Sequence, residues 1–164
     1  MIDKYFKRPV FWDYFFAIIL STLVTILWKN DALGVPKEEY LYSTVSDLST
    51  ISLTMAGFIL TLLTVLISFK STAKRKTELS LESDSLYEIF FSTKLYFETV
   101  KNLKNAIVSL TLIAIVGYVL KLSLNSHNYY TLFSYNVFGM TIIFFTVFRC
   151  LIILSKIIKI QEDK

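Results

Sequence analysis

Residues Val45 to Phe69 read VSDLSTISLTMAGFILTLLTVLISF, 25 residues with Asp47 as their one charged side chain. A helix needs about 20 mostly apolar residues to cross a ~30 Å hydrocarbon core, so this run is long enough to span. Its polar residues are ordered. Ser43, Asp47, Thr50, Thr54, Gly57, Thr61, Thr64 and Ser68 follow one another at alternating steps of four and three. That rhythm puts all of them on one face of a helix, whereas a strand would alternate at every second residue. Leu48, Ile51, Phe58, Ile59, Leu62, Leu66 and Phe69 fall on the other faces. Ser46, Ser49 and Ser52 are expected to widen the polar sector near Asp47.

Three more apolar runs accompany this one, at about Val10–Trp28, Ala106–Leu124 and Thr131–Ile158. The 164-residue chain is 54% hydrophobic and 18% charged. A water-soluble domain this small would carry more charge, about 25%, because its surface is large for its volume. Backbone groups in lipid must bond internally, and the alternation of a β-barrel is absent, so helices remain. The expected fold class is an all-α integral membrane protein: a four-transmembrane-helix bundle forming a single membrane domain over 1–164. A cytoplasmic helical hairpin, at about 70–104, is expected between helices 2 and 3.

Charge sets the expected orientation. Lys4, Lys7 and Arg8 precede span one; Lys70, Lys74, Arg75, Lys76, Lys94, Lys101 and Lys104 lie between spans two and three; Lys156, Lys159 and Lys164 follow. The opposite side has only Lys29, Lys37 and, near the boundary, Lys121. The positive-inside rule then places both termini and the middle segment in the cytoplasm. Phe11, Trp12, Tyr14, Trp28, Tyr40, Tyr42, Tyr129 and Tyr130 flank the spans as an interfacial belt does. A cleaved signal peptide is the rival for span one, but its apolar run is long for one and it carries Asp13.

The stripe on span two has two readings. Small and hydroxylated residues let membrane helices pack closely, and Ser and Thr can bond their own i−4 carbonyls. Alternatively, several copies around an axis would turn Asp47, Thr50, Thr54, Gly57, Thr61, Thr64 and Ser68 into the lining of a water-filled path. Asp47 would then form an acidic ring at its mouth. Two charges break the apolar pattern elsewhere, Asp13 in span one and Arg149 in span four, at similar depths. Opposite signs at one depth suggest an intramembrane ion pair, within or between subunits. No carboxylate lies in the central third of a span, which argues against a proton-coupled exporter of the small multidrug type.

In the cytoplasmic segment, Ser85-x-x-Glu88 is a capping box. Leu86, Phe90, Thr93, Phe97 and Val100 follow at helical spacing, giving an amphipathic helix expected to run on into span three. The basic run Lys70, Lys74, Arg75 and Lys76 either stops translocation and meets anionic lipid or, repeated around an oligomer, binds phosphates. Catalytic signatures are missing. The single His127 has no cluster of metal ligands near it in sequence, Cys150 is the one cysteine, and no glycine-rich phosphate loop occurs. No enzyme activity, cofactor or metal is expected.

The stripe from Asp47 to Ser68 and the basic exit from Lys70 to Lys76 together resemble the plan of small four-helix transmembrane effectors of bacterial antiphage defence, including the Hailong-type channel effector. The resemblance is one of architecture. It implies a homo-oligomeric channel, a tetramer or larger, in the bacterial inner membrane. It further implies a nucleotide or oligonucleotide ligand, made by a partner enzyme, that gates the path. A non-conducting accessory or scaffold membrane protein is the alternative from a different class.

Overall fold

The computed structural model describes residues 9–30, 34, 37–77, 94–123 and 129–162; at 38, 72–77, 94–95 and 156–162 it describes the backbone alone. Among the described residues there are four helices: α1 Pro9–Lys29, α2 Glu38–Thr77, α3 Lys94–Ser123 and α4 Tyr129–Glu162. Each is long and apolar enough to cross a membrane, as a multi-pass membrane protein requires, and no strand occurs among the described residues. The four expected runs all lie on these helices, apart from Leu124, which is outside the described residues. So are Ser85, Glu88 and the rest of 78–93, where the hairpin turn was expected.

Local chemistry sets the ends. Pro9 opens α1, where its missing N–H costs nothing. Lys29 in the last turn of α1 complements the negative end of the helix dipole. At the start of α2 the Lys37 carbonyl accepts from the Tyr40 and Leu41 N–H groups. At 40 residues α2 is about 60 Å long, roughly twice the hydrocarbon core. It therefore extends well past the apolar zone, and α3 runs unbroken from Lys94 through the third apolar stretch.

Two stacked cores hold the bundle. Toward the end bearing Lys70, Ala56, Ile59 and Leu66 of α2 pack with Leu103, Ala106 and Leu110 of α3 and Cys150 of α4. Toward the other end, Val45 and Leu48 of α2 meet Ile113 of α3, Leu132 and Ile142 of α4, and Ala17 of α1. Polar bonds tie the same helices. Tyr135 donates to the Ile113 carbonyl, and Asn136 Nδ2 donates to the Leu41 carbonyl at 3.1 Å. Glycines make this closeness possible. A methyl group at Gly117 would collide with the Ser49 and Tyr135 hydroxyls, and one at Gly139 with Leu48. Gly117→Val is therefore expected to destabilise the bundle by about 1–3 kcal/mol, the range for overpacked cores, measured as a lower unfolding midpoint in detergent.

The arrangement has a definite lateral order. α2 packs against α3 and α4, α1 packs mainly against α4, and among the described residues no Cα of α1 lies within 8 Å of one in α2. The α1 seam is a four-residue ridge of Pro9, Asp13, Ala17 and Ser21, closed by Trp28 at the far end. Small side chains in its middle bring α1 close enough for Ser21 Oγ to donate to the Ser134 carbonyl at 2.7 Å. Trp28 stacks between Tyr130 and Phe133, with ring centroids 4.7 and 4.6 Å away.

Candidate functional site

The stripe on α2 faces outward along its whole length. Ser43, Asp47, Thr50, Thr54, Gly57, Thr61, Thr64 and Ser68 are all exposed in the folded chain. The packing seam of the same helix runs through Leu41, Val45, Leu48, Ser52, Ile59 and Leu66. Each of those lies two positions before a stripe residue, about 200° away around the helix. The stripe is therefore nearly opposite the side that α3 and α4 cover. Packing within one chain does not account for it.

Two details of the expected polar sector change. Ser49 and Ser52 are buried on the packing seam rather than widening the stripe. Their small side chains suit a close helix contact, and Ser49 Oγ donates to its own Val45 carbonyl at 2.8 Å. Ser46 is partly buried and accepts from Lys121 Nζ. Exposed apolar side chains border the stripe instead: Ile51, Phe58 and Val65 on one side, Leu53, Leu60 and Ile67 on the other.

The stripe hydroxyls share one geometry. Thr50, Thr54 and Thr64 donate to the carbonyls of Ser46, Thr50 and Leu60 at 3.0, 2.9 and 2.9 Å, and Thr61 donates to Phe58 at 2.7 Å. A hydroxyl has one donor and two acceptor lone pairs. With the proton committed to the helix, what it offers outward is acceptor oxygen. Midway along, Gly57 has nothing within 4 Å of the position a methyl group would take, so no contact inside the chain accounts for its small size.

Past the apolar zone, Lys70 is partly buried, with its Nζ 4.2 Å from the Tyr96 ring centroid and 4.4 Å from that of Phe97. Lys70 thus ties the extended part of α2 to the first turn of α3 by cation–π contact. Lys74, Arg75 and Lys76 lie on the last turns of α2, and their side chains are outside the described residues. The apolar face expected from Phe97 and Val100 is rotated. Tyr96, Thr99 and Leu103 are buried, Val100 is half-buried, and Phe97 is 60% exposed.

The two intramembrane charges meet within one chain. Arg149 Nη1 donates to Asp13 Oδ2, and both side chains are almost fully buried. Arg149 Nε is also buried and has no partner. Cys150 is buried beside the pair, and His127 lies outside the described residues. Among the described residues, no three of His, Cys, Asp and Glu come together.

Sequence reasoning missed a shallow groove of about 480 Å³ where α1, α3 and α4 meet, lined in part by Ile18, Thr22, Ser134 and Phe138. No periodicity along one helix marks it, since its lining is drawn from three separate helices. No family model, curated protein or solved structure matches this chain.

Proposed function

We propose that this chain is a homo-oligomeric ion channel of a bacterial inner membrane, in which four or more copies bring α2 innermost and leave α1 at the lipid. The carrying observation is the outward stripe on α2. Left facing lipid, Asp47 and the acceptor oxygens of four threonines would have no water to meet. Facing an axis, they supply oxygen at successive levels, replacing part of a cation's hydration shell. The apolar borders of the stripe then pack against neighbouring copies of α2. The lateral order supports this arrangement, because α1 packs mainly on α4 and does not stand between the stripe and an axis.

Positive-inside asymmetry puts both termini and the 70–104 segment in the cytoplasm. The gate belongs at the basic continuation of α2, where repeated copies of Lys70, Lys74, Arg75 and Lys76 form a ring suited to phosphates. The resemblance to antiphage channel effectors supports a nucleotide or oligonucleotide from a partner enzyme as the gating ligand.

Cysteine accessibility tests the arrangement. In a Cys150→Ser background, Thr54→Cys and Thr61→Cys are expected to react with a charged, membrane-impermeant thiol reagent in vesicles. Phe58→Cys, on the apolar border, is expected to stay unmodified. The assembly in nanodiscs should hold at least four chains. A monomer, or a dimer whose stripe cysteines are sealed from the reagent, overturns the channel and supports a non-conducting scaffold.

A further inference from the structure

We propose that the groove between α1, α3 and α4 holds an acyl chain of an anionic phospholipid, in the leaflet on the Lys29 side. The groove's volume, about 480 Å³, falls within the range of ligand-binding clefts, roughly 300–1,000 Å³. Its polarity is graded along the bundle. Ile18 and Phe138 line the deep end, Thr22 lies along the wall, and the hydroxyls of Tyr130 and Thr131, together with Leu120, line the end nearest the helix termini. Tyr130 to Phe138 is eight residues, so the groove runs about 12 Å into the bundle. An apolar floor leading to a hydroxylated rim matches an acyl chain leading to its glycerol ester.

Charge identifies the headgroup. Lys29 is exposed, with its Nζ 5.2 Å from the centroid of the Tyr130 ring that lines the rim. Cations are scarce at this end of the bundle. Lys121, another of the few, is bonded to Ser46 on the far side of α3. Lys29 therefore puts a positive charge beside the groove's polar mouth, where the phosphate of a lipid seated in the groove would lie. A headgroup with net negative charge complements Lys29 more strongly than a zwitterionic one, whose ammonium offsets its phosphate.

Trp28 provides the reporter. It is buried against Tyr130, and Trp12 is the only other tryptophan in the chain. In a Trp12→Phe variant reconstituted in phosphatidylcholine vesicles, Trp28 fluorescence is titrated with phosphatidylglycerol brominated on its acyl chains, and separately with brominated phosphatidylcholine. The anionic lipid is expected to quench at about fivefold lower mole fraction, the effect of one lysine near a membrane surface. Lys29→Glu should abolish that preference, and Thr22→Phe, which fills the groove from its wall, should reduce quenching by both lipids. Equal quenching by the two lipids with Lys29 present overturns the headgroup assignment. Quenching unaffected by Thr22→Phe means bulk lipid and overturns the site, and so does no quenching by either lipid, as expected if a second copy covers the groove. The inference rests on the four helices spanning a membrane. A protein that fails to float with the vesicles overturns both, whereas failure in the quenching arms alone leaves the spanning reading standing.

Discussion

Replacing Thr61 and Thr64 together with leucine is expected to reduce ion flux into reconstituted vesicles by at least about tenfold, while helix content and subunit number stay as they were. The two halves of this expectation have separate physical grounds. Both threonines are exposed, and their hydroxyls donate within their own helix, to the Phe58 and Leu60 carbonyls. Leucine is a better helix former than threonine, so the fold of a single chain loses little. In a ring, however, the double change removes two levels of acceptor oxygen from every copy and puts branched hydrocarbon in their place. An apolar constriction of that kind closes a pore by dewetting. Tenfold corresponds to a barrier increase of about 1.4 kcal/mol, small against the cost of stripping water from an ion. Leu60→Ala, on the apolar border one residue before Thr61 and about one turn before Thr64, controls for general loosening of the assembly. Flux that is unchanged in the double variant, with the oligomer intact, removes the stripe from the conduction path and the channel assignment with it.

The spans and the stripe were legible because both are properties of a single helix. Apolar length is counted along the chain, and the Asp47 to Ser68 steps place residues on one face whatever surrounds them. What the sequence left open was which face of α2 the rest of the chain would cover. That depends on partners far away in sequence, on Gly117 and Gly139 admitting Ser49, Tyr135 and Leu48. Ser49 and Ser52 show the same limit. A serine in a span looks identical on paper whether it meets water or a neighbouring helix, and only the packed α3 and α4 assign these two to the seam. The Asp13 and Arg149 pairing was readable from sign and depth, but that it forms within one chain follows from α1 lying along α4. The groove was not readable at all, because a concavity between three helices is a property of their spacing.

Arg149→Met is expected to be among the most destabilising single changes in this protein, costing about 3–5 kcal/mol by unfolding in detergent. The reason is what it leaves behind. Arg149 and Asp13 are each almost fully buried, so loss of the guanidinium removes the positive charge that balances a carboxylate held away from water. The damage should be local first. α1 touches the bundle mainly through α4, and the Asp13–Arg149 contact is the clamp at its Pro9 end. Near the other end, the Ser21–Ser134 bond and the Trp28 stack remain, so α1 should splay at Pro9 while Trp28 keeps its buried fluorescence. Removing both charges separates the pair from the burial. Asp13→Leu combined with Arg149→Met fills the contact with hydrocarbon, and most of the loss should be recovered, since an apolar substitute for a buried ion pair is often neutral or better. Arg149 Nε, buried without a partner, adds to this expectation, because the double variant also removes that uncompensated donor. The charge-swapped pair, Asp13→Arg with Arg149→Asp, should recover less, as the longer side chain would then start from α1. A single variant that loses under about 1 kcal/mol would mean that water reaches both groups, as at a surface pair. That result would end the role of the pair as the clamp holding α1 to α4.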